Sequence, residues 1–315
     1  DRGSLRSHYS GCARELAVNA QMQNILVVCV MVGYGLMEYV SGRYRQTVTA
    51  DANDTKLELL MFLSLLAICQ PVALLTTNAL ASAWFPQWRG AWADWPWWAM
   101  VAVLLIGDDL TQYWWHRASH SPMLWPLHRA HHTAQYMSIR VTYRNNFFYY
   151  LLMPGLWIAG VLTYLGFGPV YAGYVVVKLM VILGAHCAWR WDEPLYRVKW
   201  LSPLMWVLER TISTPATHWA HHAITNADGI GNYKGNFGNL LFIWDILFGT
   251  AHITRAYPAQ VGLQDDLKYG QERWYHQMFY PVVHSTREHS ALRPGALAIS
   301  EMETEPDAPA GGASW

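Results

Sequence analysis

The sequence predicts an all-α protein, a multi-pass transmembrane bundle of about four to five spanning helices with a helical cap on one membrane face. Hydrophobic residues make up 53% of the 315 residues and charged residues only 14%. A soluble domain usually carries about a quarter charged residues. Several apolar runs reach the roughly 20 residues that a helix needs to cross a bilayer. The formal net charge is zero, so no overall basic field favours a nucleic-acid partner.

Five apolar runs are expected to form the spanning helices. The third, "WPWWAMVAVLLIGDDLTQYWW", opens with the aromatic cluster typical of a membrane interface. The last two form a hairpin hinged at "GFGP". Pro71 interrupts the second run, which leaves open one kinked crossing or a crossing plus an interfacial piece. In chain order the runs cover about 22–40, 57–84, 95–115, 147–167 and 170–187.

Charge in the loops predicts the orientation. If the second run crosses once, the loop after the first helix and the histidine-rich segments after the third and fifth share one side. That loop carries Arg43, Arg45 and Lys56, and the excess of basic residues in cytoplasmic loops places this side in the cytoplasm. Three arginines within 1–20 favour the opposite orientation.

The domain boundaries follow from these segments. Residues 1–20 form an N-terminal segment, 21–283 a membrane-embedded domain, and 284–315 a disordered tail that contains Pro, Gly and Glu. The stretch "NFGNLLFIWDILFGT", 236–250, is a candidate amphipathic helix that caps the bundle or lies at the interface. Four scattered cysteines without a CxxC pair give no sign of a zinc ribbon, an iron–sulfur cluster or a disulfide framework.

Three histidine clusters carry the chemistry. Residues three or four apart share a helix face, so each cluster can direct its imidazoles at one point. Neutral imidazole binds iron, copper, nickel or zinc. Eight ligands exceed the about four of a structural zinc site and suit two ions. Isolated histidines of this kind usually pack and hydrogen-bond, but three clusters on one face favour metal. The eight are His116, His120, His128, His131, His132, His218, His221 and His222, with His186 as a ninth candidate.

The residues around these clusters resemble a known family. "TPATHWAHH" (214–222), "NFGNLLFIWDILFGT" and the D-x3-YW-x-HR-x2-H pattern that starts at Asp109 are similar to motifs of the fatty acid hydroxylase / sterol desaturase superfamily, which are membrane-embedded di-iron enzymes. The similarity covers roughly 108–250. The family often has H-x-N after its fifth helix. Here Ala188 replaces the asparagine, which weakens the assignment of His186 as a ligand.

The resemblance implies an O2-dependent di-iron oxidoreductase that hydroxylates, or desaturates, an unactivated C–H bond of a membrane lipid such as a fatty-acyl chain or sterol. The domain at 21–283 is then a hydroxylase domain. The implied cofactors are two Fe ions, with Zn possible in purified protein, and O2. No haem or nucleotide-binding motif is present in the sequence, so a separate ferredoxin, cytochrome or reductase is expected to supply electrons.

Polar residues near the histidines are candidates for supporting roles. Outer groups usually orient metal-bound imidazoles. Asp109, two helical turns before His116, and Asp245 could accept an imidazole N–H, and Tyr113 and Asn232 could be similar supports or could simply cap and pack.

Two charges lie within apolar runs at matching distances from the histidines. A lone charge in a membrane is costly. Lys178 is therefore predicted to pair with Asp108 or Asp109, or to meet an anionic substrate group. The alternative is that its ammonium group reaches the far interface.

Two other classes of function share the histidine signal. A membrane metal transport or storage protein could use the same clusters, but it would need polar positions spread through several helices. A membrane zinc hydrolase would need a carboxylate base beside few ligands, as in HExxH, and the sequence contains no such motif.

Overall fold

The computed structural model describes Met22 and residues 24–294, and these residues fold almost entirely into helices. Among them there is no β-strand, and strand-like pairing is limited to two isolated bridges, Ile212 with Leu241 and Ala223 with Val261. The all-α prediction is therefore confirmed for this part of the chain. The predicted N-terminal segment, 1–20, lies outside the described residues.

Long apolar helices form the bundle, and short helices surround their histidine-bearing ends. The helices are α1 (Asn24–Val40), α2 (Arg43–Thr47), α3 (Ala52–Trp84), α4 (97–119), α5 (Trp125–His132), α6 (Phe147–Leu151), α7 (Pro154–Leu162, continued by the π-helical turn Thr163–Phe167), α8 (Gly168–His186), α9 (Glu193–Tyr196), α10 (Ser202–Thr211), α11 (Pro215–His221), α12 (Ile243–Phe248), α13 (Gln264–Tyr269) and α14 (Trp274–Phe279).

Two helical stretches, Ala52–Trp84 and Phe147–His186, are long and apolar enough to cross a membrane, and α1 is a shorter apolar helix. Only 22% and 28% of their most apolar windows are buried. Helices in the core of a soluble protein bury most of their apolar surface. These two helices instead expose most of theirs, as helices that contact lipid do. The second predicted run is one continuous helix that starts earlier, at Ala52. The number of crossings stays a prediction.

The stretch 147–186 leaves the histidines and returns to them. Near its start, the Tyr149 ring stacks on His128 with centroids 4.9 Å apart, and at its end the His186 ring lies 5.2 Å from His131. Between them Gly166 has a φ of 113°, and a side chain there would collide with the backbone of Ala93. The chain therefore reverses at the predicted "GFGP" hinge, where only glycine fits.

The two arms of this hairpin pack on different partners. Arm α7 lies along the second half of α3, where Gly160 leaves room for the Thr77 side chain. Arm α8 packs against the first part of α4 and against α11. One apolar cluster joins α4 to both arms through Met100, Leu104, Leu162, Phe167 and Tyr174. These contacts bring the ends of α4, α8 and α11 to one place.

The end of the described chain is packed. Ser285 and Leu292 are buried, and the Ser285 hydroxyl donates to the Glu272 carboxylate at 2.9 Å. The packed region therefore extends past the predicted boundary at 283, because this buried carboxylate takes partners from 284–294. The rest of the predicted tail lies outside the described residues.

Candidate metal centre

All nine histidines singled out by the sequence meet at the ends of four helices. His116 lies in the last turn of α4, and His120 ends that helix. Helix α5 carries three of them, the end of α11 three more, and His186 is the last residue of α8. Helix α11 begins at a capping box in which Thr214 and Thr217 bind each other's backbone amides. This box fixes where the helix starts and which face bears its histidines.

The nine imidazoles form two adjacent groups, and within each group the candidate ligand nitrogens all lie within 4.8 Å of one another. The adjacent residues His131 and His132 belong to different groups, and so do His221 and His222. Helices α5 and α11 therefore each contribute histidines to both groups. The rings of His132 and His222, one from each group, stack with centroids 4.4 Å apart. The five-histidine group is His116, His120, His128, His132 and His221, and the four-histidine group is His131, His186, His218 and His222.

Backbone carbonyls fix the protonation of two imidazoles in the five-histidine group. Nδ1 of His116 lies 2.7 Å from the Phe237 carbonyl oxygen, and Nδ1 of His221 lies 2.7 Å from that of Gly235. A carbonyl oxygen can only accept, so each Nδ1 carries the proton. In the neutral rings each Nε2 then has a lone pair, and these two atoms face each other at 3.0 Å.

The four-histidine group repeats the arrangement. Nδ1 of His131 lies 3.1 Å from the Arg144 carbonyl oxygen, and Nδ1 of His186 lies 2.8 Å from that of Ile182. Their two Nε2 atoms are 3.3 Å apart. His186 is thus oriented like His131, although the alanine at position 188 had weakened its assignment as a ligand.

Two facing lone pairs repel, and neither nitrogen can donate to the other. A cation shared by both removes the repulsion. Two imidazole nitrogens bound to one ion at about 2.1 Å lie about 3.0 to 3.4 Å apart, which matches both pairs. The residues present therefore fit one metal ion in each group.

Several nitrogens in the cluster are buried without a hydrogen-bond partner. They are both ring nitrogens of His120, Nε2 of His128 and His132, and Nδ1 of His218. A buried polar atom left unsatisfied costs about 1–3 kcal/mol. So many of them in one place fit imidazoles that bind metal through these nitrogens.

Burial also keeps these rings in the form that binds metal. It lowers the pKa of His131, His132, His218 and His222 well below the usual range, and neighbouring imidazoles lower each pKa further. A metal ligand must be the neutral imidazole. The imidazoles of the cluster are thus held in the neutral form at neutral pH.

Asp109 and Asp245 do not bind imidazoles directly, contrary to their suggested roles. Asp109 accepts from the backbone amide of Leu241 at 3.1 Å and from the Trp244 indole at 2.8 Å. Asp245 accepts from the amides of Phe237 and Gly238 at 2.8 and 2.7 Å. Both carboxylates therefore fix the 237–244 segment, whose Phe237 carbonyl accepts from His116.

This binding also explains why 236–250 is not one amphipathic helix. Only Ile243–Phe248 is helical, and Asn236 takes a φ of 56°. Asp245 binds the amides of Phe237 and Gly238, which precede it by eight and seven residues. Along one continuous helix those amides would lie about 10 Å or more away, so the chain folds back between them. The segment instead presents carbonyls to the histidines.

Tyr113 and Asn232 join the same scaffold. The Tyr113 hydroxyl lies 2.9 Å from Thr250 Oγ1, whose hydroxyl donates to Asp245 at 2.6 Å. The Asn232 side-chain amide donates to the Thr250 carbonyl at 3.0 Å, and the main-chain carbonyl of Asn232 accepts from the amide of Gly235 at 3.0 Å. They support the loop that orients His116 and His221, and they do not touch the imidazoles themselves.

We expect Asp245→Leu to weaken metal retention in the five-histidine group by about 10–100-fold, the usual cost of losing an outer partner. The carboxylate holds the loop whose carbonyl fixes the His116 tautomer. Titration with a competing chelator measures the effect. Asp94→Asn, at an exposed carboxylate, is the control, and equal retention in both variants would contradict the role assigned to Asp245.

Lys178 contacts Asp108, as the sequence suggested, and not Asp109. Its Nζ lies 2.5 Å from Asp108 Oδ2, and both side chains are about nine-tenths buried. The π-helical segment Leu105–Leu110 contains both aspartates, and it turns Asp108 toward α8 while Asp109 faces the 240–244 segment.

An apolar cavity of about 490 Å³ opens from the histidines between the long helices. Its histidine end is formed by His116, His128, His131 and His186. Apolar side chains of α1, α3, α7 and α8 line much of the rest, and the Lys178–Asp108 pair lies on its wall. The cavity links both histidine groups to surface that faces outward between apolar helices.

Residues 101–250, which contain all nine histidines, match the family model for fatty acid hydroxylases. This match and the relatives described next support the fatty acid hydroxylase / sterol desaturase superfamily. This confirms the resemblance seen in the motifs. No solved structure matches the chain significantly.

Curated relatives of the chain include alkylglycerol monooxygenases of three vertebrates. The Danio rerio protein is 29% identical over 165 residues, which is 52% of this chain and 31% of that relative. The Xenopus tropicalis and Homo sapiens proteins are 26% and 28% identical over 167 and 160 residues, in each case 50% of this chain and 31% of the relative. The chain thus aligns with about a third of each relative's length.

Sequence reasoning missed the groups that orient the imidazoles. They are main-chain carbonyls of Ile182, Arg144, Gly235 and Phe237. A carbonyl has no residue-type signature, so the only available signal was the "N-x-G-N" spacing of the loop at 236–239.

Proposed function

We propose that this chain is an integral-membrane, O2-dependent di-iron oxidoreductase that hydroxylates an unactivated C–H bond of a membrane lipid. The observation that carries the proposal is the pair of imidazole groups, with inward-facing Nε2 lone pairs, at the end of an apolar cavity. The superfamily and the monooxygenase relatives support the same class of reaction.

The ligand set favours a redox metal. Each group offers only imidazoles among the described residues, a donor set that suits iron, copper, nickel or zinc. Zinc has no redox chemistry, whereas two irons would supply the activation of O2 that a C–H oxidation requires. His116, His120, His128, His132 and His221 would hold one ion, and His131, His186, His218 and His222 the other.

The protein's own part is positioning. The carbonyls that accept from Nδ1 hold each Nε2 in place, and the buried surroundings exclude water. The cavity wall then sets which carbon of a lipid chain lies beside His116 and His186. Because this wall is largely apolar, a fatty-acyl, alkyl or sterol chain is the expected substrate.

The proposed location is a multi-pass membrane bundle with the histidine site on the cytoplasmic face. The exposed apolar surface of α3 and of the 147–186 hairpin supports insertion, and Arg43, Arg45 and Lys56 support the orientation. A lipid chain would enter laterally between the helices. A separate ferredoxin, cytochrome or reductase would deliver electrons at the cytoplasmic side.

Two measurements on the whole chain test this function. Protein purified without chelators should contain two irons per chain by mass spectrometry. Cells that produce it should accumulate a lipid heavier by one oxygen atom, only when O2 is present. A product lacking two hydrogens would instead identify a desaturase.

Other outcomes would overturn the proposal. One zinc and no iron, in protein that acts without O2, would exclude an oxygenase. Bound metal that exchanges across vesicle membranes, with no oxidised lipid, would favour the transport or storage alternative. A zinc-loaded inactive preparation should gain activity when iron replaces the zinc.

A further inference from the structure

A charged pair lies deep among the apolar helices. Lys178 precedes His186 by eight residues on α8, and Asp108 precedes His116 by eight on α4. At 1.5 Å per residue, both lie about 12 Å from the histidine end of the cavity. Both side chains line that cavity. Ionisable groups at such depth are costly and usually serve a binding or transport pathway.

The pair has hydrogen-bonding capacity left over. The Lys178 ammonium has three N–H donors, and among the described residues its hydrogen-bond acceptor is Asp108 Oδ2 at 2.5 Å. Tyr174 donates its hydroxyl to the same oxygen at 2.9 Å. The ammonium therefore keeps N–H groups free for an acceptor within the cavity.

The charges select the kind of acceptor. A ligand carboxylate at Lys178 would also lie beside the Asp108 carboxylate, and a ligand cation at Asp108 would meet the ammonium. Like charges in a buried site disfavour each other strongly. A neutral oxygen, in a hydroxyl or carbonyl group, can accept from Lys178 without that repulsion.

The cavity wall orients such a ligand along the helices. Asp108, Gln112 and His116 are four residues apart on α4, so they share one face, and all three line the cavity. Apolar residues such as Leu65 and Ile182 line it as well. A chain bound lengthwise would have its polar end at Lys178 and a carbon beside His116.

We propose that Lys178, Asp108 and Tyr174 form an anchor for a neutral oxygen group, and that the substrate is a lipid with a hydroxyl or carbonyl about 12 Å from the oxidised carbon. This rests on the proposed function and narrows its substrate class. An unsubstituted hydrocarbon chain would offer no acceptor to the remaining N–H groups of Lys178.

Binding of 1-dodecanol and n-dodecane to the full metal-loaded chain, kept free of O2, tests the anchor without turnover. Wild type should bind the alcohol at least about tenfold more tightly than the alkane, because only the alcohol oxygen accepts a hydrogen bond from the charged ammonium group, and such bonds are stronger than neutral ones. Lys178→Met with Asp108→Leu should abolish that preference. Lys178→Gln with Asp108→Asn should retain part of it.

Controls separate the anchor from folding. Replacing both partners by apolar residues avoids an unpaired buried charge, so the double variant should keep wild-type metal content. Arg197→Met, at an exposed ion pair, should leave the preference unchanged. Equal binding of alcohol and alkane by wild type, or an unchanged preference in the apolar double variant, would overturn the anchor. An alcohol preference without any oxidised lipid in cells would instead count against the proposed function alone.

Discussion

His221→Ala and His222→Ala are each expected to lower the metal content from two ions to about one per chain, and each should abolish lipid oxidation. The two residues are adjacent in sequence but belong to different histidine groups. His221 Nε2 faces His116 Nε2 at 3.0 Å, whereas His222 Nε2 lies 3.2 Å from His218 Nε2. Each substitution would therefore remove a candidate ligand from one histidine group only.

Metal analysis and activity on the same preparations measure this result. A double variant, His221→Ala with His222→Ala, should lose both ions. His284→Ala, at an exposed histidine outside both groups, should keep two ions and full activity. If either single variant lost both ions while folded, or kept both, the division into two separate groups would be incorrect.

How much of this site was predictable depends on what each residue does. Side chains that serve as ligands have a type and a spacing, so the histidines of α4, α5 and α11 were all identifiable from sequence. His186 could be placed beside the other histidines only by counting one crossing out and one crossing back through the preceding hairpin. The reversal of the chain at Gly166 agrees with that count. Its distance in sequence from the other clusters gives no local signal.

The supporting residues were less predictable, because a carboxylate near a histidine in sequence can point elsewhere. Asp109 lies two turns from His116, yet it binds the amide of Leu241 because its helix contains a π-helical segment. The hydropathy of a sequence does not reveal a π-helical segment of this kind. In the same way, the pattern of 236–250 suggested one helix, whereas the chain folds back so that the Asp245 carboxylate binds the amides of Phe237 and Gly238.

Arg144→Met is expected to destabilise the protein by about 3–5 kcal/mol, the usual cost of breaking a buried ion pair by removing one partner. Arg144 is fully buried, and its Nη1 lies 2.5 Å from Asp54 Oδ1. Its Nε donates to the Ala130 carbonyl at 2.8 Å and its Nη2 to Thr133 Oγ1 at 2.7 Å. The side chain thus ties the start of α3 to the end of α5.

Arg144→Met should also weaken metal binding by the four-histidine group. The Arg144 carbonyl accepts from His131 Nδ1, and its guanidinium holds the two residues that flank His131 and His132. Thermal unfolding in detergent, with and without metal, measures the stability. The stability of Arg144→Lys should lie between those of wild type and Arg144→Met, since an ammonium keeps the charge but cannot reproduce the planar fork of donors. Arg197→Met, whose side chain is 77% exposed, should cost less than about 1 kcal/mol. An Arg144→Met protein as stable as Arg197→Met would show that α3 and α5 are held together by apolar packing alone.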